Sequence, residues 1–217
     1  MAKRGRPATF DRDEALRGAM EVFWARGYEG ATLEDLQAAM GGISPPSLYN
    51  AFGSKEALFK EVVDLFMATV GAPAAQALAG EQTAREAIEG MLRRSAEAFS
   101  MPGKPHGCLV ALGATNCAPA NKGPQDYLLA IRRRTPGLIK QRLDRAVAEG
   151  ELPAGLDTGA VAAFYTTIAH GLGIRAGDGA SRRELMAAVD GAMAAWSGLT
   201  SPDGKGARRP PKRRAGR

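Results

Sequence analysis

The sequence predicts an all-α protein, and two observations carry that prediction. Stretches rich in Val, Ile, Thr and aromatic residues, which are typical of strands, are hard to find, whereas alanine is abundant and aromatic residues make up only 6% of the chain. Apolar residues instead recur at helical spacing in about nine segments, most of which begin at a capping residue. A chain of 217 residues is long enough for one large or two modest domains, each with its own core.

The first two predicted helices are bounded by clear start and stop residues. The first begins at Asp11, with Glu14 three residues later in capping-box spacing, and ends at Gly27. Thr32 caps the second, whose first turn carries two acidic residues that suit the positive end of the helix dipole. The glycine pair at 41–42 is predicted to form the turn that follows.

The third predicted helix is short and begins with prolines. Ser44 is its cap, Pro45 stands at the first helical position, where a missing N–H is harmless, and the helix is predicted to end near Phe52. Tyr49 and Asn50 lie on a helix with little else to bury, so we expect them to be exposed. Two short helices joined by a glycine turn are typical of a helix-turn-helix.

Four further helices are predicted in the middle of the chain. Ser54 caps one and Thr83, with Glu86 in capping-box spacing, begins another. In the last and longest of these four helices, a kink or break is expected at Pro136, because proline has no N–H to donate to the carbonyl four residues earlier. The predicted extents are 54–70, 83–99, 108–118 and about 125–150, and 71–80 is predicted to be a connection of small residues.

Two helices are predicted to close the fold. Asp157 caps a helix over about 158–175, and Ser181 with Glu184 begins one over about 182–196 that Gly198 ends. The predicted organisation is therefore an arm at 1–10, a helix-turn-helix domain at 11–54, a helical domain at 55–199 and a disordered basic tail at 200–217.

The net charge of +6 is equal to the charge of the tail alone, where seven Lys and Arg residues meet one Asp. The basicity of the whole chain is therefore weak evidence that the folded part binds DNA. The local cluster of Lys3, Arg4 and Arg6 is the charge that indicates DNA binding. Arg4 to Pro7 matches the core of an AT-hook, in which arginines enter a narrow minor groove.

Other classes of site are disfavoured by composition. Two cysteines do not make a disulfide scaffold, and two histidines make a zinc module unexpected, so no metal or cofactor is predicted. No apolar signal segment follows the basic start, and the longest uncharged run, 158–174, is shorter than the roughly 20 residues of a membrane span. We expect a soluble, cytoplasmic protein without membrane association.

Residues 10–66 resemble the DNA-binding region of TetR-family transcriptional regulators. The matching pieces are GRP at residues 5–7, ARGYEGAT at the end of the first helix, EDLQAAM in the second and SPPSLYNAFGSKEALF from residue 44 onward. The resemblance implies a homodimer that places its third helix in the major groove of an operator. It also implies a C-terminal domain that binds a small-molecule effector and dimerises through the last two helices, so that the protein is most simply a repressor and not an enzyme.

Carried over position by position, the resemblance implies roles for individual residues. Thr32 and Ser44 would meet phosphates, Tyr49 would reach phosphate or sugar, and Lys55 would clamp the DNA backbone. The groove-facing surface would consist of Pro45, Pro46, Ser47 and Asn50, with Arg4 and Arg6 in the minor groove. Many family members have a basic residue and a glycine where this chain has its two prolines, so specificity is expected to be shared with the arm.

The ligand-binding domain offers weaker predictions. Candidate pocket walls are Phe66, Met91, Phe99, Cys108, Cys117, Tyr127 and Ile131. A thiolate at Cys108 could sense electrophiles or oxidants, but buried packing is the favoured interpretation of both cysteines. The last two helices show apolar residues over much of their circumference, which favours an isologous dimer contact through Val161, Phe164, Tyr165, Ile168, Leu172, Leu185, Val189, Met193 and Trp196.

Two other functions remain open from the sequence. An architectural DNA-binding protein would use the arm and tail without an effector, and would show poor sequence preference. A small helical enzyme with a fortuitous helix-turn-helix pattern would show no DNA affinity, although no nucleophile elbow, phosphate loop or zinc signature is present.

Overall fold

A computed structural model describes residues 11–115 and 117–201. Within these ranges the chain forms eleven α-helices and a single 3₁₀ turn at Pro119–Asn121, without a strand, so the all-α class is confirmed. The predicted arm, with Arg4 and Arg6, and the tail beyond residue 201 lie outside the described residues. The helices are α1 Arg12–Gly30, α2 Leu33–Ala39, α3 Pro45–Phe52, α4 Lys55–Ala68, α5 Ala72–Gly80, α6 Ala84–Phe99, α7 Leu109–Leu112, α8 Lys122–Ala148, α9 Thr158–Gly177, α10 Arg182–Ala194 and α11 Trp196–Thr200.

The helix starts that were predicted from capping residues are confirmed. Capping is a local interaction, so the sequence alone locates it. Ser44 caps α3 and Ser54 caps α4, each with its hydroxyl accepting a backbone N–H from the first turn. Reciprocal capping boxes begin α2, α6 and α10, where the cap hydroxyl and the acidic side chain three residues on each accept a backbone N–H. The glycines at 41 and 42 both have positive φ, as the predicted turn requires.

Three predicted boundaries are wrong. Residues 71–80 are not a connection but contain α5, since alanine favours the helix and Pro73 lies in its first turn. The segment 108–118 holds only the four-residue α7. The last predicted helix ends at Ala194, and Gly198 lies inside α11 instead of ending a helix. The predicted stop of the first helix at Gly27 is confirmed, since Gly27 has a non-helical φ of 68°, and the helical residues up to Gly30 lie beyond the kink at this glycine.

Helix α8 runs through Pro136 without a break over its 27 residues. The predicted break is therefore wrong. Buried side chains lie on both sides of the proline: Leu128 packs into the N-terminal hydrophobic core and Ile139 into the C-terminal one. Those contacts hold the two halves together although one backbone hydrogen bond is lost.

The protein has two hydrophobic cores. The N-terminal core joins α1 to α4 and extends past residue 54 to Leu109, Val110 and Leu128. Its centre is aromatic, with the Phe23 and Phe59 rings 5.0 Å apart and the Trp24 and Phe66 rings also 5.0 Å apart. The C-terminal core joins α6, α8, α9 and α10 around Tyr165.

A close contact between α1 and α2 fixes the angle of the helix-turn-helix. A Cβ atom at Gly18 would lie 2.0 Å from the Ala39 carbonyl oxygen, so only glycine allows these backbones to approach as they do. Since α2 leads directly into the turn before α3, this contact also positions the third helix.

Among the described residues, no single helix has the length and apolar character needed to cross a membrane. The bent pair α4 and α5 passes that test together, at an angle of 46°, on length and composition only. Much of α4 is instead accounted for by the N-terminal core, where Leu58, Phe59, Val62 and Val63 are buried.

Candidate DNA-binding site

Helix α3 is anchored on one side and open on the other. Leu48 and Phe52 are 0% and 4% exposed and fix the helix on the N-terminal core. Tyr49, at 45% exposure, and Asn50 project from the opposite side together with Ser47 and the two prolines. The Ser44 and Ser47 hydroxyls lie 2.9 Å apart and share a hydrogen bond. The structure therefore brings together five of the residues predicted to face DNA, on one short exposed surface.

An open cleft of about 900 Å³ lies beside this surface. It is bounded by the start of α1, the end of α2 and the exposed side of α3. Its lining includes the carboxylates of Asp11 and Glu14 as well as Ser47 and Asn50. Acidic groups so close to the reading surface repel phosphates, so cations from elsewhere must offset them on binding.

Thr32 makes its polar contacts within the protein. Its hydroxyl donates to the Asp35 carboxylate at 2.7 Å and accepts the Asp35 backbone N–H at 3.1 Å. Arg26 donates to the same carboxylate at 2.6 Å. Those hydrogen bonds hold the pKa of Asp35 below its ordinary value. In this conformation the Thr32 hydroxyl proton points to Asp35, so a phosphate would compete with that carboxylate for it.

Lys55 is also turned toward the protein. Its Nζ lies 4.6 Å from the centre of the Tyr28 ring, a cation–π distance. Burial lowers the pKa of Lys55, and the nearby Glu29 carboxylate opposes that shift. The predicted backbone clamp therefore needs a rotation of this side chain away from Tyr28.

The folded helix-turn-helix region is acidic, a property that the basic clusters considered in the sequence did not reveal. Residues 11–66 contain five Lys and Arg residues against ten Asp and Glu residues. Three of those cations are paired internally: Arg12 with Glu61, Arg26 with Asp35 and Lys60 with Glu56. Counting charge by segment along the sequence would have found this excess. The described surface around α3 is thus neutral to acidic.

The structure divides the predicted ligand-pocket residues between the two cores. Met91 and Phe99 belong to the C-terminal core and Phe66 to the N-terminal core, whereas Cys108 packs against both. Tyr127 donates its hydroxyl proton to Asp64 on α4, and burial together with that carboxylate raises the pKa of Tyr127 to about 12. The remaining two, Cys117 and Ile131, pack against the N-terminal core.

Both cysteines are free and half-buried. Burial raises the pKa of the Cys108 thiol, although backbone N–H groups and Arg132 partly oppose the shift. Burial also raises the pKa of Cys117, with Glu29 adding to the effect. Both side chains are therefore neutral thiols at pH 7, which favours packing over sensing. In the described residues no group of three or more potential ligands could hold a metal ion.

We expect a thiol reagent to modify Cys117 before Cys108. Cys117 lies on the short link before the 3₁₀ turn. Cys108 packs between the two cores, and its Cβ leaves no room for a side chain at Gly173. The rates are measured with Ellman's reagent at pH 7 and 8. Cys117→Ser should remove the fast phase and Cys108→Ser should leave it; a fast phase that follows Cys108 would restore the sensor interpretation.

A set of hydrogen bonds joins α1 to the α7 region. We call this contact, between residues 24–29 and residues 107–121, the seam. The buried Trp24 Nε1 donates to the Gly107 carbonyl at 2.8 Å, and the Tyr28 backbone N–H donates to the Gly113 carbonyl at 2.7 Å. Glu29 accepts the Ala118 N–H at 2.7 Å and the Asn121 side-chain amide, which lowers the pKa of Glu29. Motion of the α7 region must therefore move α1 or break these bonds.

The residues predicted to form a dimer contact lie mostly inside the protomer. Seven are buried in the C-terminal core, and Phe164 and Ile168 are half-buried against it. These side chains pack α9 and α10 against α6 and against each other. Other positions of the same helices are exposed, with Ala163, Thr167 and Ile174 on α9 and Ala187, Gly191 and Ala194 on α10. Sequence reasoning missed this second face because, apart from Ile174, its residues are small.

Residues 15–62 match a family model described as bacterial regulatory proteins, tetR family. The HTH-type transcriptional repressor ComR of Escherichia coli (strain K12) is 33% identical over 197 residues, which cover 90% of this chain and 93% of ComR. The HTH-type transcriptional repressor BdcR of the same strain is 28% identical, with 84% and 87% covered. A solved structure of the regulator CifR, a cysteine mutant complexed with 26-base-pair operator DNA, is 43% identical with a TM-score of 0.84, covering 88% of this chain and all of that one.

Proposed function

Because this chain belongs to the TetR family of DNA-binding transcriptional regulators, we propose that it is a homodimeric repressor released from a pseudo-palindromic operator by a small-molecule effector. The curated relatives are regulators and not enzymes, and the same holds for this chain. We place its work in the cytoplasm, where operator DNA is found. In this proposal residues 11–54 read DNA and residues 55–199 bind the effector and dimerise.

The observation that carries the proposal is the exposed surface of α3. Ser47, Tyr49 and Asn50 project together from a helix that two buried side chains hold in place. An amide such as Asn50 can pair with adenine in the major groove, and Tyr49 and Ser47 can donate to phosphate or base edges. The prolines offer apolar contact only, for example to a thymine methyl group. Direct readout by three polar side chains supports a short half-site.

The seam supports the proposed release from DNA. An effector bound among α6, α8 and α9 would shift the neighbouring α7 region, because α7 packs on α8 and α9. The bonds from Gly107 and Gly113 to α1 would then carry that shift into the helix-turn-helix. The proposed dimer binds both half-sites of an operator at once only when its two α3 helices lie at the matching separation. A small rotation of α1 would change that separation and so weaken operator binding.

One experiment tests this function against its rivals. The full chain is used to select bound sequences from random duplex DNA, and the selected complex is then challenged with a metabolite library. An enriched palindrome that a metabolite releases supports the proposal. Unselective binding without release would support an architectural DNA-binding protein instead. The neutral surface of α3 is compatible with that alternative. A chain that retains no DNA would contradict both.

The proposed dimer face is the exposed small-residue side of α9 and α10. Substituting Gly191 tests it, because a side chain there meets nothing within 4 Å in the protomer. We expect Gly191→Glu to be a folded monomer in sedimentation at micromolar concentration, since two carboxylates would meet across a two-fold axis.

The matched control is Gly137→Glu on α8, which is equally exposed, helical and free of neighbours within 4 Å. This variant should remain a dimer, and both variants should show the same helical circular dichroism, because neither side chain meets a neighbour within the protomer. If both variants sediment as dimers, the interface lies elsewhere.

A further inference from the structure

Arg142 on α8 is the one charged residue that is buried among the described residues, with 4% of its surface exposed. Its Nη2 donates to the Gln82 carbonyl at 3.0 Å, on the link between α5 and α6. Its Nε and Nη1 are also buried but have no hydrogen-bond partner, and no other buried side-chain nitrogen or oxygen of the described residues is in that state. These N–H groups belong to a buried cation, so leaving them without an acceptor costs free energy.

The carboxylate beside Arg142 does not supply that acceptor. Glu151 Oε2 lies 3.6 Å from Arg142 Nη1, which is an ion-pair distance but too long for a hydrogen bond. The other oxygen, Glu151 Oε1, accepts the backbone N–H of Ala84 at 2.6 Å. Glu151 is therefore held at the first turn of α6, and the free N–H groups of Arg142 remain available to another acceptor.

An open groove of about 540 Å³ lies between α5 and α8, and Arg142 is part of its lining. The volume falls within the range of about 300–1,000 Å³ that is typical of small-molecule sites. The lining contains two cations, Arg142 and Arg145, and no acidic residue. Its large apolar residues are Leu78 and Leu138, and Leu138 is 53% exposed, more than any other large hydrophobic residue in the described ranges. The groove thus combines unpaired positive donors with uncovered apolar surface.

We propose that this groove is a binding site for a carboxylate that carries an apolar chain, such as a medium-chain fatty acid. The carboxylate accepts the free N–H groups of Arg142 in a charge-assisted hydrogen bond, with the charge of Arg145 close by. The chain covers Leu78 and Leu138. None of the seven residues predicted to wall the effector pocket lines the groove, so this is a second site.

Helix α5 is the element that opens the site. In the free protein Arg142 Nε and Nη1 are covered, so a ligand reaches them when α5 moves away from α8. Helix α5 packs chiefly on α6 and makes few contacts with α8. No side chain caps the start of α5, and the helix ends at Gly80. Such a movement therefore breaks few contacts, which is typical of segments that open locally.

The test measures binding to the full chain by isothermal titration calorimetry at pH 7.5. The probes are sodium decanoate and decyltrimethylammonium, which have chains of equal length and opposite charge, both below their micelle concentrations. We expect one decanoate per protomer, and at least about tenfold weaker binding of the cation, because only the carboxylate can accept from Arg142. Equal binding of the two probes, or no binding of decanoate, would overturn the proposal.

Three variants locate the site. Leu138→Glu places a carboxylate one helical turn before Arg142, where it competes with the ligand, so decanoate should bind at least about tenfold more weakly. Met67→Glu on α4 is the matched control, since Met67 is also an exposed apolar residue of a helix but lies outside the groove; its binding should be unchanged. Arg142→Met should lose binding to the same extent as Leu138→Glu, and an apolar side chain of similar length is tolerated at a buried charged position. If Arg142→Met does not fold, the other two variants still decide.

The Arg142 Nε–H also gives a direct signal. In a ¹H–¹⁵N spectrum of the arginine side chains, this resonance should move downfield as decanoate saturates the protein, because the N–H gains a carboxylate acceptor. A resonance that stays in place at saturation, or a Leu138→Glu variant that binds as well as Met67→Glu, would contradict the proposal. No operator DNA is present in these measurements, so their outcome is independent of the proposed repressor function.

Discussion

Replacing Arg4 and Arg6 with Ala should weaken operator binding on the order of 100-fold at about 0.15 M salt. Because residues 11–66 carry five Lys and Arg residues against ten Asp and Glu residues, we expect the two arm arginines to supply much of the positive charge that meets the operator. Four guanidinium groups per dimer would be lost, so the slope of log affinity against log salt should fall by about 3–4. The loss should be greatest at operators with A·T-rich flanks, where the minor groove is narrow. Fluorescence anisotropy on two operators that differ only in their flanks measures both effects.

Arg133→Ala with Arg134→Ala is the matched control. These two arginines are exposed neighbours on α8, so the same charge is removed from a helix outside the helix-turn-helix. That variant should lose little affinity. An equal loss in both double variants would show that net charge alone matters, and an equal loss at both flanks would limit the arm to nonspecific electrostatics.

Gly18→Ala should abolish specific DNA binding and destabilise the protein by about 1–3 kcal/mol or more. The new methyl group would lie 2.0 Å from the Ala39 carbonyl oxygen, a backbone atom that moves only if α2 moves. Helix α3 would then lose its position relative to α1. Urea unfolding gives the stability change from the midpoint and slope, and anisotropy gives the affinity.

Gly137→Ala separates this steric effect from helix propensity. Gly137 also lies inside a helix, but a Cβ there has nothing within 4 Å. Alanine at this position should stabilise the protein by up to about 1 kcal/mol. If Gly18→Ala were as stable as Gly137→Ala, the close approach of α1 and α2 would not be a constraint on the fold.

The sequence was most informative where structure is decided locally. The caps at Thr32, Ser44 and Ser181 act on backbone groups within three residues, so their positions could be read directly. The same holds for the exposed residues of α3, since Leu48 and Phe52 leave only one side of so short a helix open. Helix α5 was missed because glycines bound it, although its alanine content favours a helix.

Features decided by distant residues were not predictable in this way. Helix α9 is apolar around much of its circumference, and its hydrophobic pattern cannot say which side faces α6 and which faces solvent. Tyr165 therefore looked like an interface residue but is the centre of the C-terminal core. The orientation of Lys55 depends on Tyr28 and Glu29, some 26 residues earlier in the chain. The seam likewise joins segments about 90 residues apart.

The Trp24 hydrogen bond at the seam makes this residue an intrinsic optical reporter of any movement of the α7 region, including the movement proposed above for effector binding. The chain has two tryptophans, and the other, Trp196, is the first residue of α11 and packs beside Tyr165 in the C-terminal core. In a Trp196→Phe background all indole emission would come from the residue whose Nε1 donates to the Gly107 carbonyl. A compound that shifts the α7 region would change the wavelength and intensity of that emission. Candidates for the proposed effector can therefore be screened by fluorescence on the free protein, before any operator sequence has been identified.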